Sequence, residues 1–115
     1  MAKITAIEYQ LAKNSQLIED LCDSNSWDFK AIYKKTGIAK RWVSDSKEST
    51  LDLALKACNK LKKKKLKNID TIIYVTQTAD YFLPTSACIL QTKLNLNQDI
   101  KCFDINQGCS GFIYG

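Results

Sequence analysis

Histidine is absent from this sequence, proline occurs once, and no apolar run approaches the ~20 residues that span a membrane. Five cysteines are present, but they are irregularly spaced and form no C-x-x-C pair. Without histidine or paired cysteines, a zinc site and a disulfide framework are both disfavoured. The first residues, Met-Ala-Lys-Ile-Thr, lack the apolar core of a signal peptide. We therefore predict a cytoplasmic protein with reduced thiols, no metal site and no membrane partner.

Positive charge is concentrated in one place along the chain. The net charge of +5 comes largely from six lysines between positions 60 and 67. These lysines end a predicted helix, where cations complement the helix dipole, and no aromatic residue is interleaved with them. We therefore predict a solvated helix end and no nucleic-acid partner, with a nucleic-acid patch as the weaker alternative.

Composition and periodicity predict one α/β domain. At 45% apolar and 25% charged residues, the chain has a globular composition. Residues 71–76 form a short, β-branched apolar run, typical of a strand buried on both faces of a parallel sheet. Strand and helix patterns alternate, which favours a largely parallel sheet packed by helices. The other predicted elements are a strand at Lys3–Tyr9, a helix capped at Asn14 or Ser15, a helix from Asp28 to Gly37, an extended stretch at Ile38–Val43, a helix capped at Ser49, a helix opened by Pro84 and capped near Thr85, and a strand at Ile100–Ile105.

The last dozen residues combine a strand, a glycine-containing turn and a cysteine. The predicted strand runs into a tight turn, and a helix is predicted to begin at or near Cys109. A thiol at a helix start lies beside unpaired backbone N–H groups and the positive end of the helix dipole, and both favour the nucleophilic thiolate. Gly108 and Gly111 would let the backbone approach the sulfur closely. From spacing alone, a buried structural cysteine between two packing glycines is an equally good interpretation.

Two loops are predicted to meet at one edge of the sheet. In open α/β sheets, ligands bind beyond the carboxyl ends of the strands. Cys109 follows one such end, and the loop from Thr76 to Leu83 follows another. Their convergence favours a functional role for Cys109. The remaining cysteines fall on apolar stripes or strands and are predicted to be core residues: Cys22, Cys58, Cys88 and Cys102.

The segment Asp104–Gly115 reads D-I-N-Q-G-C-S-G-F-I-Y-G and resembles the active-site segment of the β-ketoacyl-acyl carrier protein synthase III family, within the thiolase-like superfamily. The resemblance implies that residues 1–115 are the N-terminal portion of a thiolase-like fold, ending just inside the nucleophile helix. Further pieces resemble the family in the same order: Thr36-Gly37-Ile38 followed by Arg41, Asn68-Ile69-Asp70 before an apolar strand, and Thr76–Asp80 leading into Leu83-Pro84-Thr85.

The resemblance also implies a reaction. Cys109 would attack the thioester carbonyl of an acyl-CoA to give an acyl-enzyme, which then condenses with malonyl-acyl carrier protein to a 3-ketoacyl product. The backbone N–H of Cys109 is a candidate oxyanion donor. Implied partners are an acyl carrier protein, which the lysines at 60–67 could attract, and a second copy of the chain in a homodimer; no cofactor is implied. The family's catalytic histidine and asparagine lie later in such enzymes, so this stretch could at most form the acyl-enzyme.

Four further site residues follow from the resemblance. Trp27 corresponds to a tryptophan that stacks on the adenine of CoA, with a core aromatic as the alternative. Lys35 and Thr36 correspond to an Arg-Thr pair that meets the nucleotide. Because lysine binds phosphate only as a point charge, an acyl carrier protein is an alternative acyl donor. Leu83 corresponds to a position that reaches toward the partner's acyl pocket and limits acyl length; a loop residue covering the core is the alternative.

Two other functions remain open at this point. Relatives of the family use the same cysteine for acyl transfer without decarboxylation. A truncated, non-catalytic partner module with a basic face is the other alternative, although the complete motif around Cys109 speaks against it.

Overall fold

A computed structural model of the chain describes residues 3–61, 66 and 68–115. The chain divides into two compact units. The smaller unit is Leu11–Glu48, and the larger unit is formed by Ser49–Gly115 together with the segment before Leu11. Each unit is described by itself.

The smaller unit pairs a two-stranded antiparallel ladder with two short helices. Strand β1 (Asn14–Leu17) pairs with β2 (Lys40–Val43), and helices α1 (Ile18–Asn25) and α2 (Phe29–Thr36) lie between them in sequence. Helix α2 begins as predicted, because the Asp28 carboxylate accepts the Ala31 N–H at 3.1 Å. It also ends as predicted, at Gly37 in the left-handed conformation (φ 67°).

The predicted helix cap at Asn14 or Ser15 is wrong. These two residues belong to β1, opposite Val43 and Trp42, and α1 begins only after Leu17. Asparagine and serine are good helix caps, but here the ladder with β2 takes the backbone of this stretch. The extended stretch predicted over Ile38–Val43 is confirmed and supplies β2.

The larger unit contains the parallel strand pair. Strands β3 (Thr71–Val75) and β4 (Lys101–Ile105) pair in parallel, with Thr71 opposite Lys101 and Val75 opposite Ile105. The predicted α/β architecture with a parallel sheet is confirmed. The other elements of this unit are α3 (Thr50–Lys60), α4 (Ser86–Lys93), a 3₁₀ turn (Gly108–Ser110) and α5 (Gly111–Tyr114).

Helix α3 begins with the predicted Ser49 cap. The Ser49 hydroxyl accepts the Asp52 N–H at 3.2 Å, and the Asp52 carboxylate accepts the Ser49 N–H at 3.1 Å. This reciprocal capping box satisfies two backbone donors at the helix start. The hydrogen bond from the Ser49 backbone, with help from its hydroxyl, lowers the pKa of Asp52.

The two faces of the β3–β4 sheet differ in burial. The covered face (Ile72, Tyr74, Cys102 and Asp104) packs against α3 and α4, and the core is a cluster of Leu51, Tyr74, Ala87 and Leu90. The open face (Ile73, Val75, Phe103 and Ile105) keeps Ile73 at 43%, Val75 at 42% and Phe103 at 52% exposure. The prediction that residues 71–76 are buried on both faces is therefore wrong for this chain. The physical reason is that α3 and α4 both pack on the covered face, whereas among the described elements the four-residue α5 alone approaches the open face.

Lys3–Tyr9 was predicted as a strand, and that prediction is also wrong. The two ladders of the described residues join other strands, and residues 3–9 have no strand assignment. Instead, the Lys60 ammonium donates to the Tyr9 carbonyl at 2.7 Å and lies 5.7 Å from the Tyr9 ring centroid. The other lysines of the basic run, at 62–65 and 67, lie outside the described residues. None of the helices that the structure describes is long and apolar enough to cross a bilayer.

Candidate functional site

The two loops predicted to converge do lie side by side at the carboxyl edge of the β3–β4 sheet. Just beyond β3, the Thr76 N–H donates to the Ile105 carbonyl at 3.1 Å and so extends the ladder. Beyond that point, a Cβ placed on Gly108 would lie 3.4 Å from the Gln77 side-chain nitrogen. The loop after β3 and the turn after β4 therefore share one rim, where ligands of parallel sheets bind.

Cys109 is the central residue of the 3₁₀ turn at this rim, and it is exposed. Gly108 enters the turn at φ 56°, in the left-handed region that glycine adopts without strain. The Gly111 N–H donates to the Gly108 carbonyl, and the Ser110 hydroxyl donates to the Gln107 carbonyl at 2.7 Å. These bonds close the turn around an accessible thiol at a helical start, so the alternative of a buried structural Cys109 is wrong.

The other cysteines are less accessible than Cys109. Cys22 is fully buried, while Cys58, Cys88 and Cys102 are half-buried. Burial raises the pKa of the Cys22, Cys58 and Cys102 thiols above the usual value. Because the thiolate is the reactive form, these three thiols are disfavoured as nucleophiles. Their predicted role as core residues fits this burial.

The two glycines that flank Cys109 have different structural roles. A Cβ on Gly111 would lie 2.6 Å from Val75 Cγ1, closer than real Cβ atoms come to such a neighbour. Gly111 is thus required for the turn to pack on β3, whereas Gly108 is required for its positive φ. The close approach fixes the height of the Cys109 turn above the sheet.

The loop after β3 forms one side of a cleft at the same rim. The Thr78 N–H donates to Thr76 Oγ1 at 3.0 Å, and the Thr50 hydroxyl at the start of α3 donates to the Thr78 carbonyl at 3.1 Å. The cleft has a volume of 260 Å³ and is lined by residues 77–82 and Asn106. Leu83 follows these residues, is 82% exposed, and precedes Pro84 through a cis peptide bond. The alternative that Leu83 covers the core does not agree with this exposure.

Asp104 caps a helix next to the site, a structural role that the sequence analysis did not predict. Its carboxylate accepts the N–H groups of Ser86 and Ala87, at 2.6 and 2.8 Å, and so caps α4 from the neighbouring strand. Thr85, predicted as the cap, occupies the N-cap position but donates its hydroxyl to Cys88 Sγ at 3.2 Å. The signal in the sequence was an acidic residue between Phe103 and Ile105 in a predicted strand, next to the cysteine motif.

The three predicted nucleotide-binding residues lie in the smaller unit. Trp27 is 54% exposed and follows α1, so the alternative of a core aromatic is wrong. Lys35 and Thr36 are exposed residues of the last turn of α2. The Thr36 hydroxyl donates to the Ile32 carbonyl at 2.9 Å and accepts the Ile38 N–H at 3.2 Å. Arg41 donates to Gln16 across the β1–β2 ladder, at 2.9 and 2.7 Å, which is a structural role.

In the described part of the chain, no group of three or more cysteine, aspartate or glutamate side chains is placed to hold a metal ion. The groups present at the rim are a thiol, backbone N–H groups and the side chains of two loops. Such a set suits covalent chemistry on sulfur.

Comparison with known proteins gives a consistent set of relatives. No protein-family model matches the chain. A beta-ketoacyl-[acyl-carrier-protein] synthase III of Fusobacterium nucleatum is 43% identical over 95 residues, covering 80% of this chain and 27% of the relative. The corresponding synthase of Clostridium perfringens strain 13 is 43% identical over 107 residues, covering 90% and 31%. The crystal structure of the Thermus thermophilus synthase superposes with a TM-score of 0.87 at 28% identity, covering 98% and 36%.

The chain thus spans about a third of the length of the proteins it matches. The structural likeness confirms the predicted thiolase-like α/β fold.

Proposed function

Because this chain is homologous, over almost its whole length, to the N-terminal portion of the β-ketoacyl-acyl carrier protein synthase III family, we propose that Cys109 carries an acyl group as a thioester. The observation that supports this most directly is the exposed thiol at the start of a helical turn, on the rim shared by two loops. We place residues 1–115 in the N-terminal portion of one thiolase-like domain of a cytoplasmic acyltransferase.

The first half-reaction uses residues of this chain. The Cys109 thiolate attacks the carbonyl carbon of an acyl thioester, and the electron pair of the carbonyl moves onto its oxygen. Backbone N–H groups of the turn, that of Cys109 among them, stabilise this oxyanion. Collapse of the tetrahedral intermediate expels the thiolate of CoA or of an acyl carrier protein and leaves the acyl group on sulfur.

The second half-reaction is condensation with malonyl-acyl carrier protein. Loss of CO₂ from the malonyl group gives a carbanion, which attacks the acyl-Cys109 carbonyl and releases the Cys109 thiolate and a 3-ketoacyl product. The family uses a histidine and an asparagine for this step, and this chain contains no histidine. The step is assigned to the whole enzyme, in fatty acid or specialised acyl biosynthesis, and it needs no cofactor. Non-decarboxylating transfer from the same acyl-Cys109 is the alternative.

We assign binding of the acyl donor to three residues of the smaller unit, Trp27, Lys35 and Thr36. An exposed tryptophan offers a face for an adenine ring, and Lys35 offers a positive charge for a phosphate. These features suit acyl-CoA, while an acyl carrier protein remains the second donor. We further propose a homodimer, in which the exposed Leu83 faces the acyl pocket of the partner and limits acyl length.

The test is acylation followed by intact-protein mass spectrometry. Incubation of the chain with acetyl-CoA is expected to add one acetyl group, labile to hydroxylamine. Cys109→Ala should abolish this adduct. The matched variant Cys88→Ser, which replaces a half-buried cysteine, should keep the adduct. Iodoacetamide should likewise modify Cys109 before the other thiols at neutral pH, because exposure and thiolate character set alkylation rates.

An acetyl adduct that persists in Cys109→Ala, or that spreads evenly over the five cysteines, would contradict the proposal. A chain that stays unmodified and instead binds an intact synthase would support the non-catalytic module.

A further inference from the structure

Asp104 joins two parts of the site that are far apart in sequence. It lies on the covered face of β4, and both of its carboxylate oxygens are used: Oδ2 accepts from Ser86 N at 2.6 Å and Oδ1 from Ala87 N at 2.8 Å. Both donors are backbone groups at the N-terminus of α4, where intrahelical acceptors are lacking. A bidentate carboxylate at this position fixes both the distance and the direction of the helix start relative to the strand.

The same bonds define the end of the loop that carries Leu83. This loop runs from Thr76, whose N–H is bound to the Ile105 carbonyl, to Ser86, whose N–H is bound to Asp104. Its two ends are thus attached to adjacent residues of one strand. Between them, Phe82 and Leu83 project with almost complete exposure. The backbone of Leu83 is three residues from the Asp104 attachment, so its position depends on that carboxylate.

The turn that carries Cys109 is held in a different way. It follows the same strand, but Gly111 packs on Val75 at the open face and Ser110 bonds to Gln107. Its hydrogen bonds run to the Gly108 and Gln107 carbonyls, whereas the Asp104 oxygens bond to Ser86 and Ala87. The Asp104 carboxylate thus holds the start of α4 at the end of the Leu83 loop, and different contacts hold the Cys109 turn.

From this geometry we propose that Asp104 is a positioning residue that sets acyl-chain selectivity, because it fixes to β4 the loop whose Leu83 limits acyl length in the pocket of the partner. The inference rests on the function proposed above and adds a specificity determinant to it. Asp104 acts through the loop and does not touch the acyl group itself.

The experiment compares acylation of Cys109 by acetyl-CoA and by octanoyl-CoA in the full chain and in Asp104→Asn. Asparagine is nearly isosteric, but it has one acceptor oxygen and places an NH₂ donor against a backbone N–H. We expect the ratio of the two acylation rates to change by about tenfold, the scale at which small changes in a hydrophobic pocket discriminate substrates. The rate of Cys109 alkylation by iodoacetamide should stay that of the unmodified chain. Asp99→Asn, an exposed carboxylate elsewhere in the same unit, is the matched control and should leave both rates unchanged.

A second variant keeps the test decisive should Asp104→Asn unfold. Ser86→Pro deletes one of the two donors at the first helical position, where proline is favoured, and the extended Thr85 (ψ 150°) accepts a following proline. The same change in selectivity is expected.

The outcomes separate the two proposals. Absence of any acyl-Cys109 in the unmodified chain overturns the proposed function and this inference with it. Normal acylation with an unchanged acetyl-to-octanoyl ratio in a folded Asp104 or Ser86 variant overturns this inference alone. An equal loss of rate with both substrates also overturns it, because that result indicates general damage to the site.

Discussion

The two faces of the β3–β4 sheet show how one pair of strands serves two purposes. On the covered face, Tyr74 packs in a core with Leu51 and Leu90. On the open face, Ile73 and Phe103 remain largely in contact with solvent. The open face is no less apolar than the covered one, so the difference in burial comes from the elements that pack against each face.

The comparison also separates structural roles from chemical ones. The covered face holds the one acidic side chain of β4, and that side chain is fully used in capping α4. The open face receives the turn after β4 through Gly111, and this turn presents Cys109. The buried core lies on one side of the sheet, and the exposed Cys109 thiol is positioned from the other.

Truncation of Leu90 is the change with the largest expected effect on this comparison. Leu90 is 4% exposed within the core, so Leu90→Ala should lower the free energy of unfolding by about 2–5 kcal/mol, through lost burial and a cavity. Phe103→Ala on the open face removes a half-exposed ring, so it should lower the free energy of unfolding by clearly less than Leu90→Ala does. Urea unfolding of both variants measures the difference. Equal costs, or a Phe103→Ala cost that grows with protein concentration, would show that the open face is covered in solution.

The contact between Gly111 and Val75 should give the next largest effect. In Gly111→Ala the new methyl group meets Val75 Cγ1, and overpacking of this kind costs about 1–3 kcal/mol. Val75→Ala removes the methyl group that clashes, so the double variant should recover part of the loss in a double-mutant cycle. Strict additivity of the two single variants would contradict the close approach of the turn to β3.

The capping box of α3 should give the smallest effect, on the helix that covers the sheet. Ser49→Ala should lower the free energy of unfolding by about 1 kcal/mol, the usual value for loss of an N-cap side chain.

Hydrogen bonds lower the pKa of Asp52 in the folded state. The contribution of Asp52 to stability is therefore present above the ordinary pKa of 3.8 and is lost as pH falls through the lowered folded value.

The check is urea unfolding between neutral pH and about pH 3. Asp52→Asn should remove this part of the acid dependence, whereas Asp99→Asn should retain it. An acid dependence that is the same in all three proteins would mean that the Asp52 carboxylate is not favoured by folding.

Sequence predicted the helix ends and the turn that depend on contacts between residues close together in the chain. The helix start at Asp28, the glycine end at Gly37 and the Ser49 cap all depend on bonds between residues a few positions apart, and all three were predicted. The turn at Cys109 was predicted for the same reason, since Gly108 lies directly before it and supplies the positive φ.

Long-range contacts determine the features that sequence could not predict. Asn14 looked like a helix cap, but it pairs with Val43 across a ladder that no short-range pattern indicates. The open face looked buried, because an apolar strand does not reveal which elements will cover it. Asp104 caps a helix that begins 18 residues earlier, and only the folded chain brings the two together.

Parallel pairing of β3 with β4 also has a kinetic consequence. Parallel strands need a crossover connection, which here consists of α4 and its flanking loops. This connection must fold back before Val75 can pair with Ile105. Such non-local pairings close large loops and form slowly compared with helical turns. Until that crossover has docked, the turn that carries Cys109 lacks the Val75 surface on which Gly111 packs.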